Sequence, residues 1–305
     1  MLSDSGPGVA HIEAQPRLGA PPSLPAGVLR GLVSFARRKP TGAIGGAILL
    51  LVILVALLAP VISPYDPQQI AVAPKFTGPG SDALLGTDQL GRDVLSRLIH
   101  GARVSMYVGL MSTLIGITAG TAIGIVSAYV GGKVDLSIQR LIDAMMAFPP
   151  IIVALGLMAA LGASTNNVII ALVVILVPGA SRVIRSQALS IKELDYTLAA
   201  RAIGAGSTRI MLRHILPNVA ATYIVLLTVT LGFAIVVEAA LSFLGVGVPP
   251  DVATWGSMLE LSRRYIDNQA WLPVFPGVAI ALVVFAVNFL GDGLRDVMDP
   301  KLRGR

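Results

Sequence analysis

"YTLAARAIGAGSTRIMLRHILPN" (residues 196–218) decides how this chain is to be read. It carries Arg201, Arg209, Arg213 and His214, yet it lies between two long uncharged runs and closes on a proline. If the flanking runs cross a membrane, this basic, small-residue stretch marks one side of it. The orientation of every other segment then follows.

Composition supports the premise. Of 305 residues, 54% are hydrophobic and 13% charged, with a mean hydropathy of +0.78, against about 25% charged in an ordinary soluble domain. Residues 42–62 are uncharged and long enough for a hydrocarbon core of about 30 Å. Residues 104–132 make a second span. The uncharged run 144–181 has 38 residues and is broken by "GASTNN" (residues 162–167) into two helices with a polar turn. Residues 215–237 make a fifth span, with apolar character resuming after Glu238, and 270–291 a sixth, with Trp271 at its start as an interfacial aromatic. The expected fold class is an all-α integral membrane protein of six transmembrane helices.

Six spans place both termini on one side. That side carries 17 of the Lys and Arg residues; the other has six, Lys75, Arg92, Arg97, Arg103, Arg263 and Arg264. The excess marks the cytoplasm. The net charge of +6 is therefore topology and needs no nucleic acid. Residues 1–40 are proline-rich, and their apolar run starts too late for a cleavable signal. "RRK" (residues 37–39) reads as a positive-inside anchor, not as a twin-arginine signal, because no cleavage pattern follows. The expected layout is a cytoplasmic tail at 1–40, a first helix at 41–63 and an extracytoplasmic segment at 64–103. A five-helix core at 104–292 follows, holding a cytoplasmic loop at 189–217, and then a tail at 293–305.

Within the opening stretch, Ala199, Ala200, Ala202, Ala205 and Gly206 favour a compact helix, and Pro217 suits the first turn of the next span. Such a helix offers a close-packing knob with arginine anchors for an acidic groove on a partner. A solvated loop whose arginines only enforce topology is the plain alternative.

"AARAIGA…IMLRHILPN" resembles the "EAA" loop of ABC-importer permeases. Ala199, Ala200, Gly204, Leu216 and Pro217 fall on its pattern, with the glycine four residues after the alanines and Leu-Pro closing it. It departs at Leu198, where the pattern has Glu, and at His214, where an apolar residue is usual. "LGTDQLGRDVLSRLIHGARVSM" (85–106), "DAMMAFPP" (143–150), "EAALSFLGVGVPPDVATWGSML" (238–259) and "NFLGDGLRDVMDPKLR" (288–303) are similar to the dipeptide/oligopeptide/nickel permeases, in the order of the C-type subunit.

The resemblance implies a type I ABC-importer permease in a bacterial or archaeal cell membrane. Residues 199–201, 204, 205, 209, 213, 216 and 217 would couple to an ATPase. Its implied partners are a B-type permease, two ATPase subunits, a substrate-binding protein and membrane lipid. ATP and magnesium would bind the ATPases, with no cofactor or metal in this chain. The residues agree: "GGK" (131–133) is followed by Val134, and Ser127 stands where a phosphate-binding loop needs its first glycine.

Three further candidates remain. Gly86, Thr87, Asp88, Gly91, Arg92 and Asp93, with Asp82 nearby, do not have calcium-loop spacing. Thr87 or Asp88 reads as a helix N-cap, and Asp88 pairs with Arg92, in a segment that braces span two or touches a binding protein. Glu238, with Ser242 beside it, is the one acid in a predicted span; it lines a translocation path or is held as a hydrogen-bonded acid. Asp292, Asp296 and Asp299 with Arg295 read as a solvated helix end. A carrier working alone with Glu238 as its coupling acid is the rival. No catalytic Ser/His, paired-carboxylate or metal spacing appears within the spans, so no catalysis is expected of this chain.

Overall fold

The computed structural model describes residues 33–298. The expectations for residues before 33, and for Asp299, Lys301, Arg303 and Arg305, lie outside them. The chain divides between Arg38 and Lys39 into two units, and the fold below is that of the second.

Helix α1 (Pro40–Ile62) opens on a proline at its first turn. After residues 63–93 comes α2 (Val94–Val130). At about 1.5 Å per residue its 37 residues extend roughly 55 Å, so its first turns project beyond a hydrocarbon core. The helix begins at Val94, ten residues before the expected start of the span. The charges in that stretch do not stop the helix, because Arg97 is buried against partners.

The third crossing also differs from expectation. Instead of one straight helix there are α3 (Gly132–Met146) and α4 (Pro150–Leu161), bent by 88° to each other. Pro149 and Pro150 force the break, since the residue before a proline is driven out of helical conformation. α3 is polar along one face, with Asp135, Gln139 and Asp143, whereas α4 is uncharged. Helix α5 (Thr165–Lys192) runs through Pro178 and continues eleven residues past Ser181, the last position of the uncharged run. Its Ser164 cap accepts from the Asn167 N–H at 3.1 Å.

Beyond α5 lie α6 (Asp195–Ala202), the single turn α7 (Ser207–Ile210), a π turn (Met211–Ile215) and α8 (Leu216–Phe243). On the opposite side are α9 (Trp255–Arg263) and then α10 (Val274–Met298), which returns. Among the described residues, five helical stretches are long and apolar enough to cross a membrane, or six if the bent pair counts as one span.

Small residues set the closest packing. Gly116, Gly120 and Gly124 of α2 face α5. A methyl group on Gly120 would lie 2.7 Å from Ala180 Cβ and 2.8 Å from the Val177 carbonyl, and one on Gly124 would lie 3.0 Å from Arg185 N. Apolar side chains gain nothing by leaving lipid for one another, so close backbone approach is what holds such helices together. α10 packs on α1 and α8, and Lys39 Nζ meets Asp296 at 2.6 Å. Asp296 is thus paired, tying the start of α1 to the end of α10 on one side.

Candidate functional site

The stretch 196–218 is one folded unit with an inner and an outer face. Thr197, Ala200, Ile210 and Ile215 are buried. Ile210 and Ile215 pack with Ile125 and Ala128 of α2, Ile184, Ala188 and Ile191 of α5, and Val219 of α8. Thr197 Oγ1 donates to the Ile191 carbonyl at 3.0 Å. Lys192 Nζ donates to the last carbonyls of α2, Ala128 at 3.2 Å and Tyr129 at 3.0 Å, where a cation also suits the helix dipole. The ends of α2, α5 and α8 are therefore packed and hydrogen-bonded to this segment.

Gly204 closes α6. Its N–H donates to the Arg201 carbonyl at 3.0 Å, and the Ala205 N–H donates to the Ala200 carbonyl at 3.0 Å, the paired bonds of a Schellman stop. The motif needs a left-handed residue, and Gly204 has φ +86°. A methyl group there would meet nothing within 4 Å. Glycine is thus demanded by the backbone of this chain itself, before any partner is considered.

The outer face carries Ala199, Arg201, Arg209, Arg213, Leu216 and Pro217, all exposed, with Ala205 half-buried. Ala200 faces inward at 8% exposure, which corrects the expectation that it is a knob for a partner. The sequence reading missed the strongest apolar projection, Ile203, exposed at 88% at the tip between α6 and Gly204. Leu198 and Leu212 of the same stretch are also exposed. Pro217 stands in the first turn of α8, as expected, but the helical path is continuous from Ser207 through the π turn into α8. A proline within a helix clashes with the carbonyl four residues before it, and the π turn absorbs that misfit.

Glu238 and Ser242 do come together, but not on a path. Glu238 is fully buried and Ser242 is 3% exposed. Ser242 Oγ donates to Glu238 at 3.0 Å and Ser105 Oγ of α2 donates to it at 3.3 Å. Ser105 Oγ in turn accepts from the Trp255 N–H at 3.2 Å, and Ser242 Oγ accepts from the Val248 N–H at 3.3 Å. The carboxyl group fastens the loop 244–254 and α9 onto α2 and α8. The path-lining assignment of both residues is corrected to a structural one.

The motif at 86–93 also folds inward. Thr87 is fully buried, donating from Oγ1 to the Pro74 carbonyl at 2.6 Å. Asp88 accepts from Arg92 Nε at 2.6 Å and lies 3.7 Å from Arg97 Nε. The N-cap is Asp93, not Thr87 or Asp88: its carboxylate accepts from the Ser96 N–H at 2.7 Å. Gly91, like Gly86, has positive φ, and at Gly86 a side chain would also strike Trp271. This is a largely buried knot bracing the outer end of α2, with Leu90 left exposed at its edge. No group of His, Asp or Glu among the described residues is placed to hold a metal.

Two ion pairs link α3 to α5. Arg185 Nε donates to Asp135 at 2.7 Å, and Ser127 and Gln139 support that pair. Arg182 pairs with Asp143 nearer the α3–α4 corner. Both arginines were counted only as topological charges in the sequence.

Comparison with known proteins agrees with this layout. Residues 120–304 match the family described as "Binding-protein-dependent transport system inner membrane component", and residues 36–79 match the "N-terminal TM domain of oligopeptide transport permease C". The di/tripeptide transport system permease protein DppC of Pseudomonas aeruginosa is 42% identical over 277 residues, covering 88% of this chain and 91% of that one. The glutathione transport system permease protein GsiD of Pectobacterium atrosepticum is 38% identical over 267 residues, covering 87% and 89%. A chain of the inward-facing MetNI methionine ABC transporter shares the fold, with TM-score 0.55 at 18% identity over 67% of this chain and 97% of that one. By the family match over residues 120–304 and the identity to these relatives over most of its length, the chain belongs to the inner membrane components of binding-protein-dependent transport systems, the permeases of ABC importers.

Proposed function

We propose that this chain is the C-type permease subunit of an importer for di- or oligopeptides. It works beside a homologous B-type permease, two ATPase subunits and an extracytoplasmic binding protein. The observation that carries the reading is the two-faced turn at 196–218. Ile203 and the arginines project outward, while Thr197, Ala200, Ile210 and Ile215 lock the same turn to the ends of α2, α5 and α8. An ATPase gripping the outer face would shift three spans at once. ATP and magnesium belong to those partners, and this chain contributes no catalytic group. Both termini lie in the cytoplasm in this reading, which the lysine and arginine distribution supports.

The peptide substrate rests on the relatives, which are named for di/tripeptide and glutathione transport. The carrier reading loses its coupling acid, because Glu238 is sealed among Ser105, Ser242 and the loop they hold.

The test is reconstitution in liposomes. The complete complex with its binding protein takes up labelled dipeptide in an ATP-dependent way, and omission of any component abolishes uptake. Uptake by this chain alone under a proton gradient would replace the proposal with the carrier.

A further inference from the structure

We propose that the Asp143–Arg182 pair, one helical turn from the lining of an apolar cavity between the α3–α4 corner and α5, is a transit site for zwitterionic peptides in the permease itself. This rests on the peptide-importer reading above.

The two ion pairs between α3 and α5 are not equivalent. Asp135 and Arg185 are mostly covered, with side-chain exposures of 16% and 27%, and Ser127 and Gln139 complete their hydrogen bonding. That pair suffices to latch α3 to α5. Asp143 and Arg182 are about half exposed, at 49% and 48%, and their side chains have only each other as hydrogen-bond partners among the described residues. An exposed pair holds weakly and exchanges partners readily. Asp143 and Arg182 flank the uncharged run 144–181 at its cytoplasmic ends, where charges face water or a protein contact and not lipid.

The surroundings fit a peptide. A cavity of about 280 Å³ lies beside the pair, lined by Met145, Met146, Phe148, Val153, Ile175 and Pro178. Pro178 is one turn before Arg182 on α5, and Met146 is one turn after Asp143 on α3, so cavity and pair share a face. A peptide carries an ammonium group, a carboxylate and side chains of varied size. Asp143 suits the first, and Arg182, with its planar fork, the second. Flexible methionines accommodate side chains of different shapes. The 88° break between α3 and α4 creates the concavity, as discontinuous helices do at other transport sites.

The chain has no cysteine, so a single introduced thiol reports this face. In the complete reconstituted complex, Met146→Cys is expected to react with a membrane-impermeant maleimide, while Phe285→Cys on the exposed side of α10 is not. Alanyl-alanine delivered by the binding protein with ATP should slow labelling of Met146→Cys at least threefold. Asp143→Asn and Arg182→Gln should each lower alanyl-alanine uptake at least tenfold, with complex assembly retained. Labelling of Met146→Cys no faster than Phe285→Cys overturns the proposal, because the face is then covered by lipid or protein. So does labelling that peptide does not slow, or full uptake by both charge variants. A wild-type complex that takes up no alanyl-alanine overturns the peptide reading and this site with it; the wild-type control separates that outcome from failure of the site alone.

Discussion

Ser105 on α2 and Glu238 on α8 meet at 3.3 Å, and the same serine hydroxyl accepts the N–H of Trp255 that opens α9. One carboxyl group thus joins two spans to the outer loop. Glu238→Gln keeps its volume and one acceptor, so assembly and uptake should stay within about twofold of wild type, at any pH. Glu238→Leu leaves Ser105 and Ser242 without their acceptor in a buried site, at a cost of about 1–3 kcal/mol for each orphaned group. Thermal unfolding of the purified complex and proteolysis of the 244–254 loop would register that loss. A Glu238→Gln complex that folds normally but loses uptake would return this residue to the translocation path.

The same pair shows where the sequence is legible and where it is not. Length and hydropathy mark the spans, because a hydrocarbon core imposes them on every segment. They do not reveal partners. In the sequence Arg97 counts only as an extracytoplasmic charge, whereas Asp88 and the Pro67 carbonyl make it compatible with a buried helix. The uncharged run through Phe148 hid the break between α3 and α4, since hydropathy does not change at Pro149 and Pro150. In the coupling turn, Ala199 and Ala200 look alike in sequence, but one faces out and the other in. Ile203 went unnoticed because a lone apolar residue beside a glycine gives no periodic signal.

Gly204 supplies a second prediction. Its left-handed φ of +86° and the open space around it rank substitutions by backbone cost alone. Gly204→Asn should be tolerated better than Gly204→Ala, because asparagine visits this region more readily, and the alanine variant should lose roughly 1–2 kcal/mol of local stability. Hydrogen exchange at the Ala205 amide reports the effect directly. If contact with an ATPase dominates instead, alanine is the milder change in uptake and ATPase retention, and asparagine the more severe.

The tip and the root of the turn should fail differently. Ile203→Asp places a charge at a fully projecting position, so the chain should insert and unfold as wild type while ATPase co-purification falls by at least about tenfold, as for an interface hot spot. Thr197→Val removes the buried bond to the Ile191 carbonyl and should cost about 1 kcal/mol of stability while leaving the outer face unchanged. Ser137→Asp, on the exposed side of α3, is the control. Equal ATPase retention in Ile203→Asp and Ser137→Asp would remove Ile203 from the contact.

The two ion pairs on α5 separate stability from transport. Asp135→Asn strands the Arg185 guanidinium beside Ser127 in a mostly covered site, and breaking a buried pair typically costs about 3–5 kcal/mol. Asp135 and Arg185 retain some exposure, which lowers the expectation to roughly 1–3 kcal/mol. Asp143→Asn breaks a pair half open to its surroundings, where loss is typically about 0–1 kcal/mol. Thermal unfolding of the two variants in the same complex should therefore rank Asp135→Asn well below Asp143→Asn. Uptake normalised to folded complex should rank them the other way, because the latch is already made by Asp135 and Arg185. If Asp143→Asn unfolds as readily as Asp135→Asn, both pairs are structural latches and the difference in their exposure carries no functional meaning.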